Sequence, residues 1–119
     1  MSEHDEQVAI VRWALNQGNI YPGVELLYAT PNAGKRTPRM GAYMKAEGLR
    51  PGFPDLGLPV AKGGYHGLFM ELKMVGNKPN KNQIYWLDRL NEQGYMALAV
   101  WMYDGAIKVL EDYMTLEDI

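Results

Sequence analysis

The hydrophobic and polar positions along the chain follow two periods, one typical of helices and one typical of strands. They predict helices at 3–17, 39–47 and 81–93, and strands at 24–30, 53–60, 67–74, 95–102 and 106–113, the last being a strand or a strand end. The helix at 81–93 permits a parallel crossover between the strands on either side of it. The order αβαββαββ therefore predicts a small α/β fold with a mixed sheet of about four or five strands.

The first predicted helix has a recognisable beginning and an apolar face. Ser2 and Asp5 have the spacing of a capping box. An apolar stripe of the kind that faces a core is formed by Val8, Val11 and Leu15.

The strands at 53–60 and 67–74 carry charges that a core-building hairpin does not need. Successive side chains of a strand point to opposite faces. One face is apolar and contains Leu56, Leu58, Val60, Leu68, Met70 and Leu72. The opposite face contains Asp55, Glu71 and Lys73, and antiparallel pairing would bring these three side chains together.

This charged cluster suits a hard divalent cation, because Mg²⁺ and Mn²⁺ prefer carboxylate oxygens and keep several waters. Asp55, Glu71 and the carbonyl of Leu72 would hold the ion, which acidifies a bound water and neutralises charge on a phosphate. Lys73 would steady the attacking water or the phosphate as a compact point charge. The simpler interpretation is a solvent-facing strand with a cross-strand salt bridge, and the spacing leaves both open.

Gln83 is a polar residue on the apolar face of the helix at 81–93. It shares that face with Leu87 and Leu90, so it is aimed at the sheet and needs a polar partner. Asn80 and Gln83 also have the spacing of a capping box, and the two roles can coexist. We interpret Trp86, together with Leu90, as a core residue rather than as a base-stacking residue.

Composition and charge narrow the class of protein. The chain has 119 residues, 47% of them apolar, and is expected to form one domain over 1–119. It has no cysteine, no apolar run that could cross a membrane and no signal-peptide pattern, so a cytoplasmic location is expected. The net charge is −2, yet residues 30–81 contain nine of the twelve Lys and Arg and only three of the fourteen acids. This basic segment indicates either a polyanionic partner or a solvated surface.

Taken in order, these motifs resemble the VRR-NUC domain of the PD-(D/E)xK nuclease superfamily over nearly the whole chain. The family pattern is a first helix with Glu and Gln, a basic loop containing glycine, and then G-x-P-D, E-x-K and Q-x-x-W-L. Here it is carried by Glu3 with Gln7, PNAGKR at 31–36, GFPDL at 52–56, ELK at 71–73 and QIYWL at 83–87. The resemblance is to small stand-alone members of the phage type, and it implies a restriction-endonuclease-like core.

The resemblance implies a role for each matched position of the site. Asp55 and Glu71 would be metal ligands with the Leu72 carbonyl, Lys73 would be the catalytic lysine, and Gln83 would support the site. Residues implied or expected to contact the DNA backbone are Asn32, Lys35, Arg36, Arg39, Lys45 and Arg50.

An acid of the first helix would contact the metal, and the sequence offers two candidates. We choose Glu3, because Gln7, Val11 and Leu15 follow it at intervals of four residues. Glu6 is the rival, because Ile10 lies four residues after it.

The resemblance implies a Mg²⁺- or Mn²⁺-dependent DNA endonuclease that hydrolyses phosphodiester bonds. Small members of the superfamily resemble Holliday junction resolvases, whose paired cuts favour a homodimer acting on branched DNA. The expected setting is the cytoplasm of a bacterium or of a phage-infected host cell. A nicking, flap or repair nuclease of the same fold is an open alternative. A catalytically silent DNA-binding or assembly domain is disfavoured, because the Asp, Glu and Lys of the motif are all present.

Overall fold

The computed structural model describes residues 1–31 and 38–117. The helices within them are α1 (Glu3–Asn16), α2 (Pro38–Ala46), α3 (Lys81–Glu92) and α4 (Met102–Met114). The strands are β1 (Tyr28–Ala29), β2 (Leu56–Leu58), β3 (Leu68–Lys73) and β4 (Met96–Trp101). A single turn of 3-10 helix, Val24–Leu26, precedes β1.

The strands form one mixed sheet in the order β1-β2-β3-β4. Neighbours are antiparallel from β1 to β3, whereas β4 lies parallel to β3. A parallel pair cannot be joined by a tight turn, and α3 makes the crossover between its strands. The predicted α/β fold with a mixed sheet flanked by helices is confirmed.

The apolar face of the β2–β3 hairpin forms the centre of the core. Leu56, Met70 and Leu72 are fully buried on it, in one cluster with Ile10 of α1 and Leu110 of α4. Burial of each such side chain contributes about 1.5–3 kcal/mol. Because side chains alternate along a strand, this packing leaves the opposite face of the hairpin to the charged residues.

An aromatic cluster covers part of that opposite face, under α3. The Phe53 ring meets Phe69 of β3 and Trp86 of α3 edge to face, with ring centroids 5.3 and 5.1 Å apart. Leu90 is buried as predicted, whereas Trp86 is half-buried. Trp86 is therefore a boundary residue, with part of its ring open to solvent.

The predicted final strand at 106–113 is wrong, because this segment belongs to α4. The buried residues of α4 are Ala106, Leu110, Tyr113 and Met114. Their spacing of three to four residues is that of a helix, and over so short an apolar segment it is easily taken for alternation. The sheet consequently ends at β4, and α4 returns across its apolar face.

The first helix and its capping box are confirmed, but its predicted apolar stripe is not the buried one. Leu15 is 62% exposed, and Val8 is also exposed. The residues of α1 that are buried are Glu6, Ile10 and Ala14. The helix is therefore rotated so that the stripe containing Glu6 meets the core.

The predicted strand at 24–30 is much shorter in the structure. Gly23 adopts a left-handed φ of 105°, and the chain then turns through Val24–Leu26 before β1 begins. Local turning thus replaces sheet pairing over most of this apolar segment. In the part of the chain that the structure describes, no helix combines the length and the apolar character needed to cross a membrane.

Candidate active site

A cavity of about 520 Å³ opens on the charged face of the sheet, at the end of the β2–β3 hairpin. The start of α1, the segment around residues 49–53 and the start of α3 complete its walls. The charged and amide side chains that line it include Glu3, Arg50, Asp55, Glu71, Lys73 and Gln83. The structure therefore brings all five predicted catalytic side chains to one cavity.

Asp55 lies opposite Glu71 because of the hairpin register. Leu56 of β2 pairs with Met70 of β3, so the residue before Leu56 falls beside the residue after Met70. An oxygen of Asp55 accepts a hydrogen bond of 2.8 Å from the backbone N–H of Leu72. This bond fixes the Asp55 carboxylate to the strand that carries Glu71, as the sequence predicted from strand pairing.

The Asp55 backbone is anchored as well, through a residue that the sequence did not single out. The N–H of Thr30 donates to the Asp55 carbonyl at 2.9 Å, and the Thr30 hydroxyl donates to the Pro54 carbonyl at 2.6 Å. Thr30 directly follows β1, so these bonds extend the β1–β2 pairing by one residue. Only the knowledge that β1 pairs with β2 could have identified it.

Glu71 is a carboxylic acid almost removed from water, with 3% of its surface exposed. One of its oxygens accepts a 3.0 Å hydrogen bond from the side-chain amide of Gln83. Burial first, and then the neighbouring Asp55 carboxylate, raise the pKa of Glu71 from 4.5 to about 8. Burial also raises the pKa of Asp55, chiefly opposed by the hydrogen bond from Leu72. The two acids thus form a pair that favours a shared proton or a cation between them.

Among the residues that the structure describes, Lys73 forms an ion pair with this site. Its ammonium group lies 3.5 Å from an oxygen of Glu71, and its side chain is only 14% exposed. This ion pair lowers the pKa of Glu71 but does not cancel the effects of burial and of Asp55. One lysine therefore leaves the two acids incompletely neutralised.

Gln83 has both of the roles that the sequence left open. Asn80 and Gln83 form a reciprocal capping box at the start of α3, with both hydrogen bonds at 2.9 Å. The Gln83 oxygen accepts from the Asn80 backbone, which leaves its amide nitrogen free to donate to Glu71. The cap thereby fixes the side chain that orients the Glu71 carboxylate.

The donor set at the end of the hairpin fits a hard divalent cation. It consists of two carboxylates, one from Asp55, which directly precedes β2, and one from Glu71 of β3. The N–H of Leu72 points towards Asp55, and in a strand the carbonyl of the same residue points to the same side. Within 1–31 and 38–117, no three Asp, Glu, His or Cys side chains come together as a metal-binding group. The set is therefore two carboxylates and a carbonyl, with space in the cavity for water and phosphate oxygens.

The two candidate acids of α1 have different surroundings. Glu3 lines the cavity, at the first residue of the helix. Glu6 is buried elsewhere, and its carboxylate accepts a 3.1 Å hydrogen bond from the N–H of Tyr103. Because the residue before α4 provides no side-chain cap, Glu6 caps that helix from a distance. The placement favours Glu3 over Glu6 at the site, and a contact between Glu3 and a metal stays a prediction.

The predicted DNA-contacting residues are only partly described. Arg50 lines the cavity, and its guanidinium lies 5.2 Å from the centre of the Trp86 ring. Lys45, in the last turn of α2, lines a smaller hollow next to Arg50. Arg39 is exposed in the first turn of α2. The remaining three, Asn32, Lys35 and Arg36, lie outside the described residues.

Fold and site together define an α/β protein with a nuclease-type fold, whose acids and lysine converge at one end of its sheet. The VRR-NUC domain family matches residues 1–100, which is most of the chain. The chain therefore belongs to the VRR-NUC domain family, and the PD-(D/E)xK superfamily is consistent with its Asp55, Glu71 and Lys73.

Solved structures agree with this assignment. A structure described as a VRR_NUC domain protein superposes with a TM-score of 0.85 and 28% identity, covering 99% of this chain and 92% of the other. A second, described as a VRR_NUC domain, has the same fold at a TM-score of 0.56 and 20% identity, covering 91% of this chain and 97% of the other. Among curated proteins, a comparison found no match to this chain.

Proposed function

We propose that this protein is a Mg²⁺- or Mn²⁺-dependent DNA endonuclease that hydrolyses phosphodiester bonds in branched DNA. The observation that carries the proposal is the pair formed by Asp55 and Glu71. Both acids are held by groups of the scaffold, and burial raises the pKa of each. A site that keeps two acids together out of water is matched to a divalent cation.

Each side chain of the site has a distinct task in this proposal. Asp55, Glu71 and the Leu72 carbonyl would hold the ion. A divalent ion bound there would supply charge neutralisation at the phosphate and a more acidic water. Gln83 keeps one Glu71 oxygen engaged and so orients the other. Lys73 presents a point charge beside Glu71, suited to orienting the attacking water or to stabilising negative charge on the phosphate.

Arg50 extends the positive charge along the cavity wall. Its exposed guanidinium can contact a phosphate next to the one that reacts, which positions the backbone without reading its sequence. Lys45 and Arg39 would continue this contact along α2, and Asn32, Lys35 and Arg36 would do so in the preceding loop.

The preferred substrate in this proposal is a four-way DNA junction, cut by a homodimer. A junction is resolved by two cuts placed symmetrically, and the described residues supply one acidic pair per chain. Two copies related by a two-fold axis would present two such pairs. A nicking, flap or repair nuclease built on the same fold is the alternative that substrate comparison can separate from a resolvase.

The test is cleavage of a labelled four-way junction and of a linear duplex in Mg²⁺, Mn²⁺ or EDTA. Lys73→Met keeps the aliphatic stem of the partly buried side chain but removes its charge, and we expect a loss of about 100-fold or more in rate. Lys108→Met is the matched control, because Lys108 forms an exposed ion pair with Asp112 on α4. That exposed pair contributes little to stability, and the control should cleave like the wild type.

The pattern of products decides between the candidates. Paired cuts confined to the junction, from a protein that sediments as a dimer, would support the resolvase. Metal-dependent cleavage of every substrate would indicate a nuclease that does not select branched DNA. Absence of cleavage with either metal would contradict the proposed activity and favour a DNA-binding module.

A further inference from the structure

A second hollow, of about 200 Å³, lies beside the reaction cavity. Two cationic and two aromatic side chains line it: Lys45, Arg50, Tyr85 and Trp86. The hollow and the cavity share a wall, which is formed by Arg50, Pro51 and Asn82. The volume of the hollow is below the roughly 300–1,000 Å³ of sites for drug-sized ligands, so it suits a single ring system.

The two aromatic rings form a corner that is open to solvent. Tyr85 and Trp86 have ring centroids 5.8 Å apart and planes at 87°. Tyr85 is 53% exposed. The Phe53 ring packs edge to face against Trp86, and the Arg50 guanidinium lies over the Trp86 ring. A planar group stacked on the Tyr85 ring would therefore meet a fixed boundary and an adjacent positive charge.

This combination of exposed rings and cations matches a nucleotide. Bases stack on aromatic side chains, and neighbouring cations contact the phosphates. Inside a paired duplex both faces of each base are covered by its neighbours, whereas an unpaired base can offer a free face to Tyr85.

We propose that the hollow binds one unpaired nucleotide of the substrate, with its base on Tyr85 and its phosphate near Lys45 and Arg50. The inference rests on the proposed function for its choice of nucleic acid as the ligand, and it specifies the substrate class. The protein would select DNA that has an unpaired nucleotide close to the cleaved bond, such as a flap, a gap, or a four-way junction in which a base pair has opened at the branch point.

The first experiment measures binding without cleavage. A short single-stranded oligonucleotide and a duplex of the same sequence, each containing 2-aminopurine, are titrated with protein in EDTA. Stacking on Tyr85 should quench the fluorescence of the single strand. Tyr85→Ala should weaken single-strand binding by about 5- to 30-fold and change duplex binding by about twofold or less.

Three further variants separate stacking from other effects. Tyr85→Phe keeps the ring and should restore single-strand binding, whereas Tyr85→Leu keeps only the apolar bulk and should not. Ile84→Ala is the matched control, because Ile84 is the neighbouring residue on α3 and is 47% exposed. It should leave both affinities unchanged, and Tyr85→Leu serves in place of Tyr85→Ala if the alanine variant does not fold.

The outcomes distinguish this inference from the proposed function. Equal effects of Tyr85→Ala on single strand and duplex, no effect on either, or failure of Tyr85→Phe to restore binding would overturn the inference, even if wild-type protein cleaves DNA. Ring-dependent binding of the single strand would support it, even if no cleavage is found with Mg²⁺ or Mn²⁺ and the nuclease proposal fails.

Discussion

The raised pKa of Glu71 predicts that the site destabilises the metal-free protein at high pH. Glu71→Gln tests this prediction, because an amide has nearly the same shape and its oxygen can still accept the hydrogen bond from Gln83. The substitution removes the negative charge that burial and Asp55 disfavour. In EDTA above about pH 8, we therefore expect the variant to be more stable than the wild type.

The sign and size of this effect follow from linkage between protonation and folding. The folded pKa of Glu71, about 8, lies above the 4.5 of the free side chain. Its contribution to stability is therefore fully present below pH 4.5 and is lost as the pH rises through about 8. The rise in the pKa of Glu71 from 4.5 to about 8 corresponds to a loss of about 5 kcal/mol in unfolding free energy, because each pKa unit is worth about 1.4 kcal/mol. Because the buried amide of the variant is also desolvated, we expect a net gain of about 1–3 kcal/mol.

The assay is urea unfolding followed by tryptophan fluorescence, in EDTA, at several pH values from about 5 to about 9. At the acidic end, where Glu71 is protonated, the variant should be the less stable of the two because its amide is also desolvated, and the difference in unfolding free energy should rise with pH to a positive plateau above about pH 8. Glu47→Gln, at an exposed position on the segment after α2, controls for the chemical change. Added Mg²⁺ should stabilise the wild type and narrow the difference. A difference that does not change with pH, or a variant less stable than the wild type at about pH 9, would refute the reasoning.

Substitutions at three other positions test how the scaffold is held together at and around the site. Gln83→Ala removes half of the capping box and the hydrogen bond to Glu71. It should lower the unfolding free energy by about 1 kcal/mol and should also slow cleavage, for which kcat and KM are measured separately. Gly52→Ala should destabilise by about 2 kcal/mol or more, read from the urea midpoint, because φ is 88° and a Cβ would lie 2.7 Å from the α3 backbone. Glu6→Ala should cost about 1–3 kcal/mol by leaving the Tyr103 N–H unpaired, whereas Glu6→Gln should retain most of the stability; equal losses in the two variants would show that Glu6 is not a cap.

The sequence was most informative where the repeat of a single strand or helix determines which way a side chain points. The β2–β3 hairpin was predicted down to the side of the sheet that carries Asp55 and Glu71, because a strand has only two faces. Gln83 was predicted to do two things, and its fixed position three residues into α3 allows both. The partner of Asp55 lies on the adjacent strand and the capping partner of Gln83 lies within the same turn, whereas the bond from Gln83 to Glu71 joins α3 to β3 and was expected from the apolar face that Gln83 shares.

Prediction failed where distant parts of the chain decide between similar local patterns. Glu3 and Glu6, the two candidate acids of α1, each begin a stripe with intervals of four residues that continues into apolar positions, so the sequence alone cannot show which stripe is buried. The structure resolves this through the N–H of Tyr103, which lies 97 residues from Glu6 and becomes a partner only when α1 packs on α4. That packing in turn depends on residues 106–113 being helical, whereas the sequence pattern had predicted a strand there.

The arrangement of the two acids explains how a small protein can keep like charges together out of water. Neither carboxylate depends on a flexible side chain alone for its position. Asp55 is held by a strand amide and by Thr30 beside it, and Glu71 is held by an amide that the α3 cap has already fixed. Repulsion between the acids cannot be relieved by rotating either one outward unless a hydrogen bond to the scaffold is broken. The apolar face of the same hairpin supplies the packing that resists this movement, so the core and the acidic pair are two faces of one structural element.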